Sequence, residues 1–329
     1  MPTDFDHSSP TTLVDDYIPV IDLSAKDTPT GRAAIAGAIG TACATSGFFV
    51  IAGHGVTTAL IDRMYTTTLN FFELPREEKN RVLATAGTGG LRYQAGSAAK
   101  SSGLDTPADL CEIFSCNVLG DGSPEFRAQF DDIAPWARSN LWPHEPGEFR
   151  ETWFEYMSAM EGLAADLMEL FALALGLDPQ YFADKIDRHI STIVANYYFP
   201  QTRTPLPGQL RKGEHTDWGS LTILYQDDIG GLQVRRGDTW RDVPFVPGGF
   251  VINIGDMMAF WTGGAWVSTP HRVVNPAQAG SGARVSIPFF HLPNHDAWIE
   301  PLPRLGSLHK GAGTTTGQWY QDKMAAIYS

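Results

Sequence analysis

Hydrophobic and polar positions follow strand-like and helical patterns in turn along the first part of the chain. Residues 18–24 (IPVIDLS) alternate as in a short strand, and residues 46–56 (SGFFVIAGHGV) predict a buried strand bounded by glycines. Between them, the alanine-rich residues 31–46 predict a closely packed helix. Two further helices are predicted, one at about residues 57–72 and one from Pro75, where proline suits the first helical position.

The strongest helical pattern covers about residues 146–175. Apolar side chains recur there at alternating steps of four and three, which places them in one stripe along a helix. We expect this stripe to pack as core against a large neighbouring body rather than to bind a cofactor. Its members are Trp153, Met157, Met160, Ala164, Leu167, Phe171 and Ala174.

Beyond Arg188 the pattern changes to short runs rich in β-branched and aromatic residues, separated by turn clusters. Seven or eight strands of this kind predict a double-sheet jelly roll or a barrel. The predicted strands are residues 191–199, 220–226, 231–236, 250–255, 257–261, 271–274 and 284–293.

The predicted fold class is mixed α/β (α+β), with a double-stranded β-helix (jelly roll) core, an N-terminal helical region and a long buttressing helix. We expect residues 1–188 to form a mixed, mainly helical region that packs on the core, residues 189–295 to form the core, and residues 296–329 to cover the core or its site. Residues 85–104 are rich in glycine, serine and alanine, which predicts a loop or lid.

The charge balance limits the partners of this chain. It has 24 basic and 37 acidic residues among 329, a net charge of −13, so phosphate backbones and anionic membranes should repel it. No apolar run approaches the roughly 20 residues that cross a bilayer, and the acidic start differs from a secretory signal. We expect a cytoplasmic protein without nucleic-acid or membrane partners, as a monomer or weak homo-oligomer.

Three cysteines, Cys43, Cys111 and Cys116, are an odd number without CxxC spacing. This pattern builds neither a disulfide framework nor a zinc site. We expect each of them to be a small, buried apolar residue.

One histidine is followed two positions later by an acidic residue. His215 and Asp217 would share one face of a strand, so an imidazole and a carboxylate could converge on one point, although a solvated turn is the alternative. His271 offers a third ligand if a later strand returns beside the first. Two imidazoles and one carboxylate form a facial triad with open positions, which suits Fe(II) better than structural zinc.

A second candidate group lies on the last predicted strand of the core. Arg284 and Ser286 alternate onto one strand face, together with Pro288 and Phe290. A guanidinium with a nearby hydroxyl is a natural receptor for a carboxylate in a half-buried pocket. The alternative is an arginine on a solvated strand edge.

The order of these motifs resembles that of the Fe(II)/2-oxoglutarate-dependent dioxygenases, within them the branch related to isopenicillin N synthase and the plant flavonoid and gibberellin oxygenases. The N-terminal motifs IPVIDLS, SGFFVIAGHGV, FFELPREEK and LWP also match, so the resemblance spans most of the chain. In the later part it rests on NYYFP (196–200), EHTDWGSLTIL (214–224), GGLQV (230–234), VINIGDMM (251–258), PHRV (270–273) and RVSIPFF (284–290).

The resemblance implies that His215, Asp217 and His271 are the ligands of Fe(II), with 2-oxoglutarate and O₂ as co-substrates and ascorbate as a helpful addition in vitro. Asp217 argues against a halogenase, because in those relatives the halide takes the position that this carboxylate vacates.

The resemblance also implies a co-substrate site. Arg284 and Ser286 would bind the distal carboxylate of 2-oxoglutarate, and Tyr198 would help to hold the co-substrate. Asn196 shares the strand face of Tyr198 by period two, whereas Tyr197 should point into the packing.

By the same resemblance, the chain is expected to oxidise a small, natural-product-like metabolite of secondary metabolism, with release of succinate and CO₂. Hydroxylation is the expected outcome, with desaturation, cyclisation and epoxidation as alternatives. Strand alternation places Val194 and Phe290 at the substrate, and the family alignment adds Phe114, Arg92 and Tyr93, although each of these residues could equally be core or exposed loop.

Two other functions fit the same residues. An iron oxidase of the isopenicillin N synthase type would keep the triad, would use Arg284 and Ser286 for its substrate's own carboxylate, and would consume no 2-oxoglutarate. A zinc hydrolase or a metal-stabilised jelly-roll binding protein is the more remote alternative, because no HExxH motif or cysteine-rich shell is present.

Overall fold

Two β-sheets, of nine and four strands, form the centre of the part of the chain that the computed structural model describes. The described residues are 11–13, 17–85, 88–93, 96–122, 138–276, 282–302 and 313–328. The strands are β1 (Thr11–Leu13), β2 (Pro19–Asp22), β3 (Phe48–Ala52), β4 (Gly90–Tyr93), β5 (Cys111–Asn117), β6 (Thr192–Tyr198), β7 (Lys212–His215), β8 (Leu221–Gln226), β9 (Leu232–Arg236), β10 (Thr239–Asp242), β11 (Phe250–Ile254), β12 (His271–Val273), β13 (Arg284–His291), β14 (Trp298–Ile299) and β15 (Thr314–Thr315).

Side-chain caps are present at the first two helices, at Thr28 and Thr57. At the first of them, the Thr28 side chain accepts a hydrogen bond from Gly31 N, and a proline follows as the first helical residue. The helices are α1 (Pro29–Thr45), α2 (Thr58–Glu73), α3 (Arg76–Asn80), α4 (Phe149–Ala174), α5 (Ala183–Ile186), α6 (Asp256–Trp261) and α7 (Thr316–Tyr328), with short 3₁₀ helices at Ala98–Ser102 and Val118–Asp121.

The larger sheet has the strand order β1-β2-β3-β11-β8-β13-β6-β5-β4, and the smaller sheet has the order β10-β9-β12-β7. Together with the helices they form the predicted jelly roll of the mixed α/β class. In the larger sheet β3 pairs with β11, so strands from both sides of residue 188 belong to one sheet. The division of the chain at residues 188 and 295 stays a prediction.

The long helix α4 packs against α1 and α2 and buries the predicted stripe. Ala174, at its last turn, is half-buried at the edge of the same core. Around Trp153, the rings of Phe71, Phe114 and Phe149 lie 5.0–5.1 Å apart in successive contacts. The buttressing role predicted for this helix is thus confirmed by its packing.

Three details of the expected secondary structure differ. Residues 257–261 (MMAFW) lie in helix α6 and not in the predicted strand. The prediction was wrong because five consecutive apolar residues have no period that separates a strand from a helix. Residues 85–104 include strand β4 and the 3₁₀ helix Ala98–Ser102, so this segment is not all loop. The short polar strands β7 and β10 were not predicted, because neither shows an apolar alternation.

The three cysteines are buried and free, as predicted. Within the described residues, no helix combines the length and the apolar character needed to span a bilayer.

Candidate active site

Two neighbouring strands of the smaller sheet bring the two predicted histidine ligands together. His215 ends β7, His271 begins β12, and the two residues are paired directly in antiparallel register. Asp217 follows two residues later, and its Oδ1 lies 4.0 Å from His215 Nε2 and 3.8 Å from His271 Nε2. One ligand atom from each residue lies within 4.8 Å of the others. The trio is close enough for a single metal ion to contact all three side chains.

Hydrogen bonds orient the carboxylate of Asp217. Its Oδ2 accepts hydrogen bonds from Thr222 Oγ1 at 2.5 Å and from Asn253 Nδ2 at 2.7 Å, which leaves Oδ1 facing the two imidazoles. Burial alone would raise the pKa of Asp217, but His271, His215 and the two hydrogen bonds together hold this pKa below its ordinary value. The group therefore stays an anion inside the cavity.

Backbone carbonyls fix the two imidazole rings. His215 Nδ1 lies 2.7 Å from the carbonyl oxygen of Gly213, and His271 Nδ1 lies 3.3 Å from that of Thr269. Since a carbonyl only accepts, each Nδ1 donates its proton there, and Nε2 is the ring nitrogen that lies near Asp217. Burial, and then the neighbouring His271, lowers the pKa of His215 to about 3. His215 is therefore in the neutral form that binds metals.

Thr222 and Asn253 were missed by the sequence analysis. Their signal is a polar residue inside a buried apolar strand, as in the run FVINI of β11, where Asn253 is only 2% exposed. Such a residue needs a buried partner, and the carboxylate of Asp217 is that partner.

Replacing Asn253 with alanine should weaken Fe(II) binding by about 10- to 100-fold, the usual cost of losing a group that orients a metal ligand. Anaerobic equilibrium titration with Fe(II) measures this. The matched control is Asn294→Ala, a second asparagine that is 2% exposed and bonds Asp184 and Asp187 away from the trio. It should lower the melting temperature without changing metal affinity, and equal metal affinities in both variants would contradict the role of Asn253.

Arg284 is fully buried on β13. Its Nη2 donates to Gln226 Oε1 at 3.2 Å, and its Nε lies 3.9 Å from Asp227 Oδ1, beyond hydrogen-bond distance. Its Nε and Nη1 have no hydrogen-bond partner among the described residues. A buried guanidinium with two unfilled donors is costly unless an acceptor joins it. This donor set fits a carboxylate ligand.

The other expected co-substrate residues lie beside this guanidinium. In the pairing of β13 with β6, Arg284 is opposite Tyr198 and Ser286 is opposite Asn196. The Arg284 Cζ lies 5.0 Å from the centre of the Tyr198 ring, and the Tyr198 and Ser286 side chains share a hydrogen bond. Tyr197 points the other way and stacks on Phe72 in the core.

A cavity of about 760 Å³ contains all of these groups. The trio of His215, Asp217 and His271 lines it, together with Arg284, Ser286, Tyr198 and Asn196. Four of the five expected substrate residues are also on its wall: Val194, Phe290, Arg92 and Tyr93.

Phe114 is not on this wall, contrary to expectation. It is fully buried and packs among Phe71, Phe149 and Trp153. Successive residues of a strand point to opposite faces, and on β5 it is the neighbours of Phe114, residues 113 and 115, that line the cavity.

The C-terminal helix α7 lies against the loop that follows the trio's aspartate. Trp319 Nε1 donates to the carbonyl oxygen of Trp218 at 3.0 Å, and Lys323 Nζ donates to Asp256 Oδ2 at 2.6 Å. Tyr320 contacts the Trp218 ring and lines the cavity. The helix thus closes one side of the cavity in this structure.

Comparison with known families gives two matches along the chain. Residues 189–293 match the model of the 2OG-Fe(II) oxygenase superfamily, and residues 18–145 match that of the non-haem dioxygenase in morphine synthesis N-terminal region. The validamycin A dioxygenase of Streptomyces hygroscopicus subsp. limoneus is 34% identical over 312 residues, which cover 91% of this chain and 82% of that protein.

Solved structures agree with these matches. The full-length Neurospora crassa T7H in complex with alpha-KG has a TM-score of 0.81 and 26% identity, and the alignment covers 94% of this chain and 98% of that one. JOX2 in complex with 2OG, Fe and JA has a TM-score of 0.73 and 27% identity, with 93% and 84% covered.

Proposed function

This chain belongs to the 2OG-Fe(II) oxygenase superfamily, and from that membership we propose which of its residues bind the iron, the co-substrate and the substrate. It is an Fe(II)/2-oxoglutarate-dependent oxygenase that acts on a small molecule. The related structures with bound 2-oxoglutarate and iron support the same cofactor and co-substrate here.

We propose that His215, Asp217 and His271 hold the Fe(II). The observation that supports this most strongly is the convergence of the three ligand atoms beside two paired strands, with the Nδ1 of both imidazoles held by backbone carbonyls. When bound, the iron supplies the redox chemistry by which O₂ oxidises the substrate while 2-oxoglutarate becomes succinate and CO₂. These residues would supply three protein ligands to the iron, and a facial triad of this kind leaves other coordination positions for the co-substrate and O₂.

Arg284 and Ser286, with Tyr198 and Asn196, are proposed to bind the co-substrate. Arg284 lines the cavity and has two unfilled donors, which a carboxylate bound there would satisfy. This pairing would orient the dicarboxylate with its 2-oxo acid end toward the metal-binding trio. The surrounding sheets keep water from competing for the guanidinium.

The substrate is proposed to be a natural-product-like metabolite, with hydroxylation as the outcome and desaturation or cyclisation as the alternatives. Val194 and Phe290 supply apolar surface to the cavity, and Arg92 and Tyr93 supply polar groups near its rim. Such a wall suits a medium-sized molecule with an apolar body. One relative, the validamycin A dioxygenase, is named for the oxidation of a small molecule.

Anaerobic titration of the Fe(II) protein with 2-oxoglutarate tests the proposal directly. A bidentate 2-oxo acid on Fe(II) gives a weak visible charge-transfer band, and we expect this band together with release of succinate and CO₂ when O₂ and ascorbate are added. An oxidase that reserves Arg284 for its own substrate would show no band. If zinc instead of iron restored substrate turnover to the metal-free protein, this would favour the zinc hydrolase.

We propose the location and the kinds of partner of this enzyme from its net charge. A net charge of −13 supports a cytoplasmic enzyme without nucleic-acid or membrane partners. We propose a monomer or weak homo-oligomer, which analytical ultracentrifugation at micromolar concentrations would test.

A further inference from the structure

Strand β7 contains a bulge directly before the metal-binding trio. Its pairing with β12 joins His215 to His271 and Lys212 to Val273, so three steps along β7 match two steps along β12. One extra residue in a strand reverses the side on which the preceding side chain points. Lys212 therefore shares the cavity face of His215, where regular alternation would have turned it away.

Close packing fixes this bulge. A Cβ on Gly213 would lie 2.5 Å from Ser97 Oγ and 2.8 Å from Ala99 Cβ, so only glycine allows β7 to lie against the 3₁₀ helix. Gly213 N also donates to Asp109 Oδ1 at 2.9 Å. The side-chain direction of Lys212 is thus set by the backbone.

The ammonium group of Lys212 is enclosed but not hydrogen-bonded. Its side chain is 17% exposed, and the nearest carboxylate oxygen, Asp109 Oδ2, is 3.9 Å from Nζ. Both Asp109 oxygens already accept hydrogen bonds, from Ser97 Oγ, Ala98 N and Gly213 N. Among the described residues no group accepts a hydrogen bond from Lys212 Nζ. Three donors therefore remain for a ligand.

The positive charges of Lys212 and Arg284 both lower the pKa of the same phenol, that of Tyr198. Burial raises the pKa of Tyr198, and the positive charges of Arg284 and Lys212 both oppose that rise. The hydroxyl of Tyr198 therefore has a cation within electrostatic reach on β13 and another on β7. Lys212 and Arg284 both line the cavity, and Asp217 is the only carboxylate on its described wall.

We propose that Lys212 is a second cation for the distal carboxylate of 2-oxoglutarate, which it binds together with Arg284 around the Tyr198 hydroxyl. This inference rests on the proposed function. A carboxylate has about four lone-pair sites, so it can accept two bonds from the guanidinium and another from the ammonium. The dianionic co-substrate would then meet two fixed positive charges rather than one.

Anaerobic titrations of the Fe(II) protein test this with two ligands, 2-oxoglutarate and 2-oxopentanoate, which has the same carbon chain without the distal carboxylate. The readout is the charge-transfer band, and calorimetry gives the dissociation constants independently. In Lys212→Met the affinity for 2-oxoglutarate should fall about tenfold or more, the cost of a charge-assisted hydrogen bond. The affinity for 2-oxopentanoate should stay within about twofold of wild type, because Lys212 then has no carboxylate to bind.

Two further variants serve as controls. Lys212→Arg should restore much of the affinity, and Lys100→Met, which removes an exposed cation from the same cavity wall, should change affinity by no more than about twofold. Equal weakening of both ligands, a matching loss of Fe(II) affinity, or an unchanged affinity for 2-oxoglutarate in Lys212→Met would each overturn the inference. A wild-type protein that gives no band with either ligand would instead overturn the proposed function, and the inference with it.

Discussion

Replacing His271 with alanine should lower 2-oxoglutarate decarboxylation by at least about a thousandfold, since even a residue that only orients a metal ligand costs 10- to 100-fold. The metal-free variant should keep its fold. Outside the trio, His271 makes only a long bond, at 3.3 Å to the Thr269 carbonyl, and an edge contact with the ring of Phe48, whose centre is 5.3 Å away; its other described contacts, with His215 and Asp217, are within the trio. Its loss enlarges an existing cavity rather than opening a new one in the core.

The measurement is release of labelled CO₂ from 2-oxoglutarate with Fe(II) and ascorbate, together with melting curves of the metal-free protein. His54→Ala is the matched control, because His54 is also 8% exposed but bonds the Gly248 carbonyl at 2.7 Å, outside the cavity wall. It should lose about 1–3 kcal/mol of stability and keep its activity per folded molecule. A larger loss of melting temperature in His271→Ala than in this control would indicate a structural role for the trio.

The sequence allowed the metal-binding trio to be proposed because its elements are local. His215 and Asp217 are two residues apart, and Arg284 and Ser286 repeat that spacing, so a strand period predicts that each pair shares one face. Only Arg284 and Ser286 lie within one strand in the structure, because β7 ends at His215 and Asp217 follows it. The direct pairing of His215 with His271 is different, because it depends on the register between strands 56 residues apart. The sequence joined those residues only through the predicted jelly roll, in which a later strand could return beside the first, and through the resemblance to a family.

The errors share a physical origin. Phe114 was placed at the substrate by alignment, and a shift of one position exchanges the core face of β5 for its cavity face. Residues 257–261 were predicted as a strand but form a helix, and the sequence could not separate the two because a short apolar run has no period. Lys212 was not predicted at the cavity, because it faces the cavity through a bulge that the sequence around Gly213 does not predict. Each case depends on packing between distant segments.

Replacing Arg284 with methionine should weaken 2-oxoglutarate binding by about 100-fold, because truncating one partner of a buried, charge-assisted pair typically costs 2–5 kcal/mol. The stability of the ligand-free protein should respond in the opposite sense. Arg284 is fully buried and its Nε and Nη1 have no hydrogen bond, so we expect its desolvation to oppose folding by more than its one bond to Gln226 and its 3.9 Å approach to Asp227 favour it. Methionine fills a similar volume without that desolvation cost.

Melting curves of the Fe(II) protein with and without 2-oxoglutarate separate these two effects. Wild type should gain about 2.7 kcal/mol of stability from the ligand at 100 times its dissociation constant, whereas Arg284→Met should gain almost nothing at the same concentration while its ligand-free form melts no lower than wild type. The exposed Arg241 on β10 supplies the control, since Arg241→Met should keep the full ligand-dependent gain. A ligand-free Arg284→Met protein that unfolds much earlier would mean that the guanidinium stabilises the sheet through Gln226 and Asp227, and a retained gain would place the co-substrate elsewhere in the cavity.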